Sequence, residues 1–242
     1  VRKRCYTTHK QTHEVRYDTA GTYMFTVPDN ITSVDVFLVG AGSGGALGGG
    51  GGGYTKCYKS ESNGYKDGNS IAVTPGESIQ IIVGSGGSAG GTTSYYSAGN
   101  GGYSQFKSSA YQAQGGYAPA STYYARGGNG GSGGSGYIAS GGSAGGSDGS
   151  NGNAGQGSYI AGTGQGHTTR EWGLPTGQLY ATGGNGGHNL DVNSSMSDLG
   201  IDGKNAGDGG SGGADGGYTG GGIRGVYGGK GHDGLIIIRY YV

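Results

Sequence analysis

Arg126–Gly157 reads RGGNGGSGGSG-YIAS-GGSAGGSDGSNGNAGQG. Glycine returns at every third position, at Gly127, Gly130, Gly133 and Gly136 and again at Gly146, Gly149, Gly152 and Gly155. That period fits neither the α-helix nor the two-residue repeat of a strand. It fits the three-residue turn of polyproline II, a helix without internal hydrogen bonds. Every N–H and C=O of such a helix points outward, so copies with glycine at their contacts can approach closely and bond backbone to backbone. The expectation is a bundle of polyglycine II helices folded back and forth within one chain. A flexible Gly/Ser linker is the alternative. Glycine loses more backbone entropy on ordering than any other residue, so a single tract would stay disordered. Repetition argues for the bundle: Gly40–Gly53, Gly84–Gly91, Gly127–Gly136, Gly141–Gly157, Gly183–Gly187 and Gly200–Gly222 can satisfy one another's backbone groups.

With 65 glycines in 242 residues and 31% hydrophobic content, composition alone points to a fibrous or disordered chain. The apolar residues are concentrated in short runs, however, which allows a small core. Zero net charge argues against a nucleic-acid surface. No run approaches the roughly 20 apolar residues of a membrane span, so no membrane insertion is expected. No signal peptide is visible, and the start at Val1 reads as a processed or excerpted chain. Cys5 and Cys57 either pair, if the first strand lies beside Tyr54–Lys59, or stand as separate thiols; the sequence leaves both open.

Tyr23–Val27, Val34–Val39, Tyr54–Ser60, Ser70–Val73, Ser78–Val83 and Leu235–Tyr240 read as strands, with turns at Pro28–Asn30 and Thr74–Glu77. Val34–Val39 alternates at first, then becomes continuously apolar, as a buried strand would. Val1–Asp18 is polar and reads as two strands around Lys10–Gln11, a possible attachment segment. No segment has a helical period or cap. The predicted class is all-β: a jelly-roll-like β-sandwich from 19–83 and 234–242, with an inserted polyglycine II bundle and its variable loops over 84–233, and essentially no α-helix. Residues 19–242 form a single domain in this reading.

Tyr23–Pro28 (YMFTVP), Ser33–Gly42 (SVDVFLVGAG), Gly52–Ser60 (GGYTKCYKS), Ile71–Gly84 (IAVTPGESIQIIVG), Gly164–Glu171 (GQGHTTRE), Leu179–Gly187 (LYATGGNGG) and Gly234–Arg239 (GLIIIR) resemble the glycine-rich domain of bacteriophage tail proteins and bacterial surface proteins. The resemblance runs from about Gly21 to the end. It implies an adhesin in which polyglycine II helices hold variable recognition loops, as in the distal adhesins of T-even-like phages. It brings no catalytic residues.

Tyrosine supplies the candidate binding groups. Twenty Tyr stand against three Phe and one Trp, and Tyr suits half-wet surfaces better than cores. Tyr95, Tyr96, Tyr111, Tyr117, Tyr123, Tyr124, Tyr137 and Tyr159 lie in segments rich in Ser, Gly and Ala between the tracts. This is paratope chemistry: large amphipathic contacts with few torsions to freeze, beside adaptable hydrogen-bonding groups. The alternative role is to cap the ends of the glycine rods. Arg170, Glu171 and Trp172 are expected to be structural, with Trp172 covering the rods.

Other patterns dissolve on inspection. Gly40–Gly45 fits G-x-G-x-x-G after a strand, but Gly48–Gly53 follows where a dinucleotide site needs a helix. Asp148, Asp208 and Asp215 lack the register of calcium-binding repeats. His9, His13, His167, His188 and His232 have no metal-ligand spacing. No catalytic pair, metal or cofactor is expected. The sequence therefore predicts a non-enzymatic receptor-binding domain at a phage tail fibre or tail tip. Its partners would be a host cell-surface glycan or protein, other virion subunits and copies of itself. The competing expectation is a structural subunit of a bacterial surface, filament or virion.

Overall fold

The computed structural model describes residues 11–46, 48–90, 98–119, 127–136, 144–155, 160–186 and 229–242. Among these residues nine strands form two antiparallel sheets. The first joins β1 (Thr12–Tyr17), β9 (Leu235–Tyr241), β3 (Ser33–Val39) and β4 (Thr55–Tyr58) in that order, with β5 (Ile71–Ala72) pairing the start of β3. The second joins β2 (Gly21–Thr26), β6 (Ser78–Val83), β7 (Ser104–Phe106) and β8 (Gln112–Ala113). Among the described residues the only helical element is a single 3-10 turn, Glu171–Gly173. Of the two strands the sequence suggests around Lys10–Gln11, the second is β1, which runs antiparallel to β9 from Thr12 opposite Tyr241 to Tyr17 opposite Ile236; the first lies outside the described residues.

The two sheets share one apolar cluster. Val34, Val36, Leu38, Ile236 and Ile238 come to it from the first sheet, and Phe25, Ile79, Ile81, Val83 and Phe106 from the second. Alternate residues of β3 and β9 point the other way: Phe37, Val39, Leu235 and Ile237 form a second cluster with Cys57, Trp172 and Tyr180. The continuous apolar runs of β3 and β9 thus mean burial on both faces. Phe37 meets Trp172 at 6.0 Å and Tyr180 at 5.8 Å between ring centroids, and Arg239 lies 4.0 Å over the Trp172 ring. Trp172 therefore covers the sheet, not the glycine rods as its sequence setting suggests. The cover is tied down by polar contacts. Arg16 donates to the Tyr180 hydroxyl at 2.8 Å, which donates to Glu171 at 2.7 Å. Burial and that bond to Glu171 push the Tyr180 phenol up to about 12. Lys59, fully buried, donates to the carbonyls of Asn63 and Trp172.

Cys57 is a free, buried thiol, and burial pushes it up to about 12. The thiolate is the nucleophile, so native Cys57 is expected to resist alkylation and to label only after unfolding. Peptide mapping after brief exposure to iodoacetamide reads this directly; modification of Cys57 in the native chain would contradict it. Cys5 lies outside the described residues.

Two departures from the sequence reading concern 84–233. β7 and β8 lie inside that span and belong to a sheet. They are three and two residues long with Ser104, Gln105 and Gln112 among them, too short and polar to register as apolar runs. The glycine tracts also bend where single rods are expected. Gly127–Gly136 folds back on itself, with Gly134 N–H donating to Gly128 O at 2.8 Å. The 144–155 stretch turns at Asp148 (φ 52) and Gly149 (φ 84). Asp148 is more than a solvated turn residue: it accepts from Thr168 Oγ1 at 2.5 Å, Thr169 N at 3.2 Å and Arg170 Nε at 3.3 Å.

Between tracts the backbone bonds follow a count of three. Gly128 and Gly131 donate to Gly49 and Gly52, while Gly49 and Gly52 donate to Ser135 and Ser132. Ser132 and Ser135 donate to Ala181 and Gly184, and Gly133 and Gly136 to Ser150 and Asn153. A separate ring of bonds runs from Gly231 to Gly87, from Gly87 to Gly42 and from Gly42 to His232, each 2.9 Å. Within Arg126–Gly157, Gly127–Gly136 bonds to Tyr117, to stretches 146–153, 160–165 and 181–184, and to the all-glycine run Gly48–Gly53. Gly52 shows why that run is all glycine: a Cβ there would lie 2.1 Å from Ala181 O. In 127–136 the pattern is Gly-Gly-x. The non-glycine positions carry short polar side chains, and the buried Ser132 and Ser135 among them fit a tight interior.

Candidate functional site

The site is built where the glycine network meets the end of the first sheet. β4 alternates, with Thr55 and Cys57 inward and Lys56 and Tyr58 half exposed, so Tyr54 and Lys56 face a shallow groove of about 190 Å³. β8 and the chain after it supply the facing wall, Gln112, Gln114 and Tyr117; Gln165 and His167 close one end.

The backbone of this wall is clamped. Tyr54 N–H donates to Gln114 O at 2.9 Å. Tyr117 O accepts from Gly51 N at 3.2 Å and from Ser43 Oγ at 2.8 Å, and Tyr117 N–H donates to Asn129 O at 2.8 Å. Two glycine-rich stretches, Gly40–Gly53 and Gly127–Gly136, thus fix the main chain of a residue whose side chain is half exposed, at 49%. Its ring stands edge-on to Tyr54, with centroids 6.3 Å apart and planes at 78°. Burial and the neighbouring Tyr117 push the Tyr54 phenol above its usual value, which keeps its hydroxyl protonated.

The floor is internally satisfied. Gln165 Oε1 accepts from Thr55 N at 3.0 Å, and its Nε2 donates to Thr55 Oγ1 at 2.8 Å. His167 stacks on Tyr65 at 3.9 Å with planes 14° apart. Lys56 is paired with Asp67 at 2.8 Å; that hydrogen bond raises the ammonium above its usual value against an opposing effect of burial. By contrast, the side-chain amides of Gln112 and Gln114 and the hydroxyls of Tyr54 and Tyr117 make no hydrogen bond among the described residues. The groove is thus two aromatic faces and a set of unengaged neutral donors and acceptors on a fixed frame.

Of the candidate tyrosines, Tyr117 stands in this groove. Tyr111 is half buried against the inter-sheet cluster and meets Tyr58 edge-on at 5.2 Å. Tyr95, Tyr96, Tyr123, Tyr124, Tyr137 and Tyr159 lie outside the described residues. Tyr54, Gln112, Gln114, Gln165 and His167 were not legible as site residues, because they come from stretches far apart in sequence. The alternation around Tyr54 was the one available signal. No group of three or more His, Cys, Asp or Glu among the described residues could hold a metal ion.

A family model described as a glycine-rich domain matches residues 18–241. The chain belongs to the glycine-rich domain family. The match takes in both sheets from β2 onward and every described groove residue; β1, paired to β9, lies ahead of it. No curated protein matches this glycine-rich domain.

Proposed function

We propose that this glycine-rich domain is a non-enzymatic receptor-binding module of a phage tail fibre or tail tip. A β-sandwich anchors it, polyglycine II helices stiffen it, and tyrosine-bearing segments between the tracts contact a host cell-surface glycan or protein. The observation that carries this reading is the network of tract-to-tract backbone bonds, whose donors three residues apart address the same neighbour. Such spacing is what a three-residue turn requires. Rigidity supports the display role, because groups ordered before binding lose less entropy on contact. Several copies on one particle would add avidity without tighter single sites.

The test is attachment. Changing Tyr95, Tyr96, Tyr123 and Tyr124 together to Ser is expected to lower retention on susceptible bacterial cells by at least about ten-fold, with the thermal midpoint unchanged. Undiminished attachment by a folded quadruple variant would remove the main support for the adhesin. One feature favours a second reading. Among the described residues β1 is an edge strand, and edges accept further strands. A structural surface, filament or virion decoration subunit that joins its neighbours through this edge would use the same scaffold with no receptor of its own.

A further inference from the structure

We propose that the corner between Tyr54 and Tyr117 is a saccharide subsite that takes one neutral pyranose ring of a surface glycan. This deepens the receptor-binding reading and rests on it for the source of the glycan. Four observations converge. First, the two tyrosine rings meet nearly at right angles, at 78° and 6.3 Å. One ring offers a face to the apolar C–H side of a sugar and the other bounds its edge. Aromatic side chains with a polar tip suit a ligand that is apolar on one side and wet on the other.

Second, the polar groups left without partners match hydroxyl chemistry. A sugar hydroxyl both donates and accepts. So do the amides of Gln112 and Gln114 and the phenols of Tyr54 and Tyr117, and none of these is engaged elsewhere among the described residues. Third, the charge balance disfavours an anionic ligand. The only ammonium in the lining, Lys56, is already paired with Asp67 at 2.8 Å. A carboxylated or phosphorylated sugar would have to break that pair. Fourth, the volume of about 190 Å³ falls below the ~300–1,000 Å³ of sites for drug-sized ligands. It holds one ring, with its neighbours in solvent. The frame is ordered beforehand by the backbone clamps on Tyr54 and Tyr117, which limits the entropy lost on binding.

The experiment titrates the full chain, with isotope-labelled glutamine side chains, against the methyl glycosides of glucose, galactose, mannose, rhamnose and N-acetylglucosamine. At least one glycoside is expected to move the Gln112 and Gln114 amide resonances saturably, with a dissociation constant in the millimolar range. Tyr117→Ala should weaken that binding about ten-fold, whereas Tyr103→Ala, an exposed tyrosine outside the groove, should not. Methyl glucuronide should bind no tighter than methyl glucoside. Silence of both amides toward all five glycosides, or equal binding by a folded Tyr117→Ala variant, overturns the subsite. Cell attachment is scored separately. A silent groove in a chain that still attaches defeats the subsite and leaves the adhesin standing. A saturable groove in a chain that attaches to no cell upholds the subsite and defeats the adhesin.

Discussion

Gly52→Ala is expected to cost about 4 kcal/mol or more, a large fraction of the ~5–15 kcal/mol that holds a domain folded. The added methyl would sit 2.1 Å from Ala181 O and 2.4 Å from Ala181 C. Both atoms are backbone, so no side chain can swing away; the tracts themselves must part. Parting them breaks Gly52 N–H to Ser132 O at 3.0 Å, Gly131 N–H to Gly52 O at 2.9 Å and Ser132 N–H to Ala181 O at 3.1 Å. Each buried group left unpaired costs roughly 1–3 kcal/mol. Gly76→Ala is the matched control. Gly76 is left-handed, at φ +76, but a Cβ there meets nothing within 4 Å. That substitution should cost only the backbone term, about 1–2 kcal/mol. Denaturant unfolding of the two variants compares close approach with conformational strain. If Gly52→Ala proves no worse than Gly76→Ala, the tract network does not hold the fold together.

Phe37→Ala is expected to cost about 3–5 kcal/mol. Phe37 is 1% exposed and stands opposite Cys57 and Ile237 in its sheet. It is the only side chain with close ring contacts to both Trp172 and Tyr180 among the described residues. Trp172 is held in a left-handed conformation, at φ 54, a state that persists only where the surroundings over-determine it. Removing Phe37 takes away that constraint as well as the buried ring. Trp172 is the sole tryptophan, so its fluorescence reports this face alone. Native Phe37→Ala should emit at longer wavelength than the wild type, and its unfolding midpoint should fall in circular dichroism and fluorescence together. A loss under about 1 kcal/mol with unchanged emission would mean that the Glu171–Gly173 turn is not packed as part of the sheet's core.

The sequence signalled the elements that bury apolar runs. β2, β3, β6 and β9 fall where Tyr23–Val27, Val34–Val39, Ser78–Val83 and Leu235–Tyr240 placed them, because alternation and apolar continuity are written directly in side chains. β7 and β8 were invisible: a two- or three-residue strand of Ser and Gln is defined by its partners, and β6 supplies them. The bends in 127–136 and 144–155 escaped for a related reason. Glycine and serine offer almost the same signal in a straight segment as in a turn, so a three-residue period does not mark where a tract bends or ends.

The candidate site divides in the same way. Tyr117 was legible, since a tyrosine amid glycine, alanine and glutamine has no local structural role. Its companions Tyr54, Gln112, Gln114 and Gln165 were not, because what unites them is the clamp of Tyr54 to Gln114 and of Gly51 to Tyr117. By itself the sequence determined an all-β architecture and glycine tracts obliged to pair with one another. Both follow from local chemistry: the two-residue alternation of apolar side chains, and the entropy that unpaired glycine would have to lose alone. Only the tertiary structure decided which tracts neighbour Gly127–Gly136, that Trp172 shields the sheet and that two tyrosines meet at a corner. Those outcomes depend on which distant backbone groups come within hydrogen-bonding distance, and residue identity along a glycine-rich chain carries almost no information about that choice.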